Sequence, residues 1–314
     1  MYKEKRIARS EFVPIRRLSY HVRIWEGPDA GAMDLPPLVL AHGWMDVGAS
    51  YQFMVDALSD AFANGRTIIA HDWRGFGLTL GAKEGAQPDN YWFPDYLADL
   101  DALLDHFSPG KPVDLVGHSM GANAVMTYAG ARPDRIRKLV NLEGFGQPPA
   151  RPAEAPGRYA KWMDELKAME RGEIALKTYD GVEGVAQRLM KTNPRLSSDK
   201  AHWLANHWAK PDAASNGQWA ILGDPAHKIV SANIYRVEET LALYSRITAP
   251  LLAIEASDDS LGKWFKGKYT LAEYHERLKS VPDATIGLVQ DAGHMLHHDQ
   301  PEQLARLIEG FLQS

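Results

Sequence analysis

The chain has no cysteine, which removes disulfides, thiolate catalysis and cysteine-ligated zinc or iron–sulfur centres and leaves the redox compartment open. It has no run of 18 apolar residues, and the charged stretch Met1 to Ser10 lacks an apolar h-region, so neither a membrane span nor a signal peptide is expected. Cytoplasmic residence is the default expectation. Charge of one sign is also scarce: 35 Lys+Arg against 40 Asp+Glu give a formal charge of −5, with no electrostatic footprint for nucleic acid or an anionic membrane. What is present is a 314-residue chain, 45% hydrophobic and 24% charged, with ample length for a large core. That make-up suits a globular protein handling a small, mostly neutral substrate. No cofactor or metal is implied, and a homodimer is compatible with the composition.

The chain is organised around Leu115-Val116-Gly117-His118-Ser119-Met120-Gly121. Val113 to Val116 is a short apolar run behind Pro109-Gly110-Lys111-Pro112, the pattern of a buried parallel strand. Ala122, Val125, Met126 and Ala129 then recur at helical spacing, so strand must turn into helix within about two residues, with Ser119 on the corner. So sharp a turn strains its central residue and brings neighbouring segments close, which accounts for glycines two positions either side. The serine hydroxyl is thereby set at a helix N-terminus, where free N–H groups favour developing negative charge.

Before and after this corner, strands and helices alternate as in a parallel sheet. Phe12 to Ile15 and Leu18 to Trp25 read as edge strands, and Leu38 to Ala41 as a buried strand leading into His42-Gly43-Trp44. Tyr51 to Phe62 reads as one helix, Thr67 to Ala70 as a strand, Tyr96 to Phe107 as a helix and Ile136 to Leu142 as a strand. The alternation breaks at the proline-rich stretch Gly146 to Pro152. From Gly157 to Ser245 the pattern is helical, with no strand expected, so residues 147–245 form a helical cap inserted into a core made of residues 1–146 and 246–314. Core character resumes with a strand over Pro250 to Ile254, a helix around Leu271 to Leu278, a strand over Ala284 to Val289 and a closing helix with Asp299 and Glu302 at capping-box spacing.

Taken together, His42-Gly43-Trp44, Asp72-x-Arg74-Gly75-x-Gly77, Gly117-x-Ser119-x-Gly121, Asp259 after a strand and Gly293-His294 before the last helix resemble an α/β-hydrolase with a helical cap over nearly the whole chain. The implied fold is α/β, a mostly parallel central sheet flanked by helices. Among its members the chain is more similar to esterase-like serine hydrolases than to dehalogenases or epoxide hydrolases, which carry aspartate at the position of Ser119. The resemblance implies Ser119 as nucleophile, His294 as base and Asp259 as the acid that orients it. Asp258 is one residue of misalignment away, and Glu143, at the end of the strand after the elbow, is a third candidate whose preferred reading is a polar group hydrogen-bonded near the cap hinge. The backbone N–H groups of Met120 and Trp44 are the implied oxyanion donors, while His42 is expected to brace its loop.

His297 and His298 follow His294 without a His-Glu-x-x-His pattern, so rim or cap contacts are expected of them rather than metal ligation. In the cap, Trp203, His207, Trp208 and Trp219 are candidates to face Ser119 and select the substrate. The expected activity is cleavage of a small carboxylic ester through an acyl-enzyme. Lactone or thioester hydrolysis, acyl transfer and C–C bond hydrolysis would use the same triad, and a ligand-binding protein of the same fold is the non-catalytic alternative.

Overall fold

The computed structural model of the protein describes residues 2–79, 88–212 and 217–314. The hairpin β1 (Arg9–Ile15) and β2 (Leu18–Glu26) is followed by β3 (Leu38–Ala41), the short helices α1 (Gln52–Ala57) and α2 (Asp60–Ala63), and β4 (Thr67–His71). Next come α3 (Phe93–Phe107), β5 (Val113–His118), α4 (Met120–Ala131) and β6 (Ile136–Leu142). The excursion between β6 and β10 carries α5 (Ala155–Glu170), β7 (Thr178–Tyr179), α6 (Gly181–Thr192), α7 (Ser198–Trp208), β8 (Ala209–Pro211), β9 (Trp219–Ile221) and α8 (Val237–Tyr244). The chain then returns through β10 (Leu251–Ala256), α9 (Ser260–Phe265), α10 (Leu271–Leu278), β11 (Ala284–Val289), α11 (Leu296–Asp299) and α12 (Pro301–Gln313).

Among the described residues, eight strands form one sheet in the order β1-β2-β4-β3-β5-β6-β10-β11. All neighbours are parallel except in the β1–β2 hairpin, which joins the edge of β4 antiparallel. Because strand side chains alternate between faces, the apolar runs supply two cores at once. Val39, Leu115, Leu139 and Ala253 pack under α3, α4 and α10 with Leu100, Val125 and Tyr274. Leu38, Leu40, Val116, Val140 and Ile254 pack on the opposite face with Val55 of α1 and Leu304 and Ile308 of α12. Each such buried aliphatic side chain contributes roughly 1.5–3 kcal/mol. From β3 the chain first steps outward to β4 and then crosses back to β5, so the winding reverses between β3 and β5. In open α/β sheets the ligand crevice lies beyond the carboxyl ends of strands at this reversal, and here those ends carry His42 and Ser119.

Three local expectations are corrected. The helix read over Tyr51 to Phe62 breaks after Ala57, because Leu58 turns extended (ψ 145°) and the Ser59 side chain caps α2 by accepting from the Phe62 N–H. The capping box on the last helix does not form: Gln300 is the N-cap, and the Asp299 carboxylate instead accepts from the Gly293 N–H (2.8 Å) and Asn193 Nδ2 (2.7 Å). The inserted segment is not purely helical either, since β7, β9 and β8 form a small antiparallel sheet whose strands are two or three residues long, too short for a visible alternation.

Candidate active site

Ser119 has φ 53° and ψ −115°, a left-handed conformation that a β-carbon resists, between the last residue of β5 and the first of α4. The flanking glycines permit it through close approach. A β-carbon on Gly117 would lie 2.6 Å from the Ala122 Cα, and one on Gly121 would lie 2.3 Å from the Ala41 carbonyl oxygen. The second contact lets the N-terminus of α4 reach the end of β3, which brings the Met120 N–H towards the His42–Trp44 loop. In that loop His42 is buried and braced on both sides. Its Nε2 accepts from the Trp73 N–H (2.9 Å), so its Nδ1 carries the proton donated to the Gly43 carbonyl (2.7 Å). Burial lowers its pKa to about 4, so it stays neutral.

His294 lies in the loop between β11 and α11. Its Nδ1 is 3.3 Å from Oε2 of Glu143, and the indole of Trp264 stands edge-on to the ring at 4.1 Å. The ring of His118, next to the nucleophile, is 4.6 Å away, and His118 Nε2 donates to the His294 carbonyl (2.8 Å). His118 therefore anchors the backbone that carries the candidate base. Burial lowers the pKa of His294 to about 3, favouring the neutral imidazole a general base needs.

Glu143 directly follows β6 and is itself in the left-handed region (φ 55°). Its other oxygen accepts from the Ala256 N–H (2.8 Å). Burial raises its pKa to about 7, against the lowering effect of hydrogen bonds from Ala256 and Ser260. Asp259, the acid expected from the resemblance, is engaged elsewhere: it is the N-cap of α9, with Oδ1 accepting from the Gly262 N–H (2.7 Å). Asp258 pairs with Arg195 (3.1 Å) and Lys263 (3.5 Å). Among the described residues, the carboxylate in contact with His294 is that of Glu143. The sequence signal was present, since a glutamate closing the strand after the elbow projects from the same sheet edge as Ser119, but spacing alone cannot tell which of three acids the histidine meets.

The four cap residues divide. Trp208 donates its indole N–H to the Met45 carbonyl (2.9 Å), next to Trp44, so it steadies the loop expected to supply an oxyanion donor. Trp203 lies against His207 with the rings tilted by 50° (4.3 Å) and meets Phe53 and Tyr2 at 5.6 Å each, while Arg23 approaches both Trp203 and His207. These contacts belong to the junction of the cap with the N-terminal side of the core. Trp219 is half-buried in β9 against the same cluster. His297 and His298 are not at the rim but buried, both hydrogen-bonded to Ser50 Oγ, at 3.2 and 2.6 Å. Trp264 was not anticipated from sequence. It is 48% exposed, with its ring edge-on to that of His294.

The inserted segment is fastened through the Asp72–Gly77 loop. The Gly77 N–H donates to the Leu222 carbonyl and the Asp224 N–H to that of Gly75, both at 2.9 Å, and His227 is stacked between Phe76 (3.7 Å) and Tyr91 (3.8 Å). Beneath it, Arg74 makes a bidentate pair with the fully buried Asp99 (2.5 and 2.7 Å), tying the loop to α3.

Comparison with known proteins agrees with this architecture. The family model for the alpha/beta hydrolase fold matches residues 36–301. A serine hydrolase-like protein of Danio rerio is 27% identical over 317 residues, covering 98% of this chain and 90% of its own. The 2-(acetamidomethylene)succinate hydrolase of Mesorhizobium japonicum is 24% identical over 277 residues, 88% of each chain. A hypothetical protein of Pseudomonas aeruginosa superposes with a TM-score of 0.80 at 21% identity, over 100% of both chains.

Proposed function

We propose that this chain, which belongs to the alpha/beta hydrolase fold family, is a serine hydrolase that cleaves a small carboxylic ester through an acyl-enzyme, with Ser119, His294 and Glu143 as its triad. The observation that carries this reading is the His294 imidazole, which has Glu143 on Nδ1 and the elbow residue His118 against its ring and backbone. With Nδ1 committed to the carboxylate, Nε2 is left to take the proton from Ser119 Oγ as the hydroxyl attacks the carbonyl carbon. The oxyanion so formed meets the N–H of Met120, a first-turn helix donor with no intrahelical partner, and the N–H of Trp44. The imidazolium returns its proton to the departing alkoxide, leaving an acyl-serine. Water deprotonated by the same Nε2 then releases the acid.

The indole of Trp264 beside His294 favours an uncharged acyl or alcohol group. The test is a fluorophosphonate adduct on Ser119 together with turnover of short p-nitrophenyl esters. Ser119→Ala is expected to abolish the adduct and to lower kcat by at least about 10⁴-fold. Thioester, lactone and C–C substrates in the same panel separate the related reactions. A protein that neither labels nor turns over any of them overturns the assignment.

A further inference from the structure

We propose that Asp46, His118 and His297 form a binding site for a divalent first-row transition-metal ion, buried behind the nucleophile strand. The three residues come from the loop after β3, the end of β5 and α11. All three are buried, and one ligand atom from each lies within 4.8 Å of those of the other two. Each also holds a buried polar atom that has no hydrogen-bond partner: Asp46 Oδ2, His118 Nδ1 and His297 Nδ1. Buried polar groups are normally satisfied, yet Asp46 Oδ2 and His118 Nδ1 have no hydrogen-bond partner among the described residues, and the His297 nitrogen that faces Asp46 is Nε2, 3.9 Å away.

The chemistry of the donors narrows the partner. His118 Nε2 faces a carbonyl oxygen, which can only accept, so the proton sits there and Nδ1 presents a lone pair. His297 and His118 are both kept neutral by burial, as metal ligation requires of imidazole. His297 Nε2 stands 3.9 Å from the Asp46 carboxylate but is neutral, so among the described residues no cationic side chain pairs with this buried group. Two imidazoles and one carboxylate suit zinc, cobalt or nickel and disfavour calcium and magnesium, which prefer all-oxygen shells. Tetrahedral ligands 2.0–2.1 Å from zinc stand about 3.3 Å apart, so the cluster closes modestly on binding, with Ser50 Oγ or a water at the fourth position.

The test uses the full chain after chelation. Equilibrium dialysis against Zn²⁺ is expected to show one saturable equivalent, and Co²⁺ to give the visible bands of a low-coordinate nitrogen and oxygen site. At a hundredfold excess over Kd, Zn²⁺ should raise Tm by about 5 °C. Asp46→Asn and His297→Gln should each weaken binding at least about tenfold. If a variant misfolds by circular dichroism, the Co²⁺ spectrum of the unaltered chain and an anomalous difference peak between Asp46 and His297 in a soaked crystal decide the matter. Absence of saturable binding, an octahedral hydrated Co²⁺ spectrum, or unchanged affinity in folded Asp46→Asn overturns the proposal. None of these readouts depends on turnover, so they stand apart from the catalytic assignment.

Discussion

Oε2 of Glu143 lies 3.3 Å from Nδ1 of His294, although 151 residues separate them in the chain. The pair spans the segment inserted between β6 and β10: the glutamate follows β6 just before it, and the histidine lies in the loop after β11. Asp259, only 35 residues from His294 and aligned with the acid of the resembling family, is held instead at a helix N-cap.

Replacing each acid in turn separates the two assignments. Glu143→Gln is expected to lower kcat by about 10²–10⁴-fold, since an amide no longer stabilises the imidazolium or fixes its tautomer. Asp259→Asn should change kcat/KM less than about threefold while removing a cap worth about 1 kcal/mol. Steady-state kinetics on one ester with both variants checks this, and the reverse ranking would restore Asp259 as the acid.

Activity should depend on pH through the Glu143–His294 dyad as a unit. Its first proton is taken up near pH 7, where burial places the carboxyl, and the proton-bearing form is inactive whichever atom carries it. The ratio kcat/KM therefore rises with pH through about 7 in the native enzyme. In Glu143→Gln the remaining titration is that of His294, pushed down to about 3, so the acid limb moves to lower pH. An unchanged limb would remove Glu143 from the dyad.

The same carboxyl makes folding stability pH-dependent. Its folded pKa is about 7 against an ordinary value of 4.5, so its contribution is fully present below pH 4.5 and is lost as pH rises through 7. Thermal unfolding at pH 5 and pH 8 should show a smaller fall for Glu143→Gln than for the native chain, by up to about 3 kcal/mol.

Asp99→Asn is expected to destabilise the protein by about 3 kcal/mol, because Arg74 would lose its carboxylate inside the core and Tyr20 its 2.5 Å acceptor. Urea midpoints measured at constant m-value test this.

His227→Ala should loosen the cap without disturbing the triad. Two stacked contacts, each worth about 0.5–1.5 kcal/mol, disappear. The expected signature is faster proteolysis within residues 147–245 and a raised KM, with fluorophosphonate labelling of Ser119 retained. Unaltered proteolysis would place the fastening of the cap elsewhere.

How much was legible in the sequence follows from the range of the interactions. β3, β6 and β11 were bounded to the residue: β3 is buried and apolar throughout, whereas β11, largely exposed at the sheet edge, is set off by Pro282-Asp283 before it and Gln290-Asp291 after it. The elbow was equally plain, since a strand, a strained corner and a helix lie within one short window and the close approach of Ala122 and Ala41 admits only glycine. The cap strands escaped notice because two or three residues carry no period, and the Tyr51 to Phe62 helix was overextended because Ser59 offers its hydroxyl to a new N-terminus.

By itself, then, the order of residues determined the sheet and the elbow that carries Ser119, which follow from local periodicity and backbone sterics, while His294 was implied by the resemblance of its Gly293-His294 context. Which acid meets the histidine was left to tertiary structure. Glu143, Asp258 and Asp259 all follow strands ending at the same sheet edge, and only packing decides that Arg195 draws away one, a helix terminus takes another and His294 is left with the third. The buried meeting of Asp46, His118 and His297 was likewise beyond the reach of sequence, for no spacing relates three segments that the sheet brings together only when it closes.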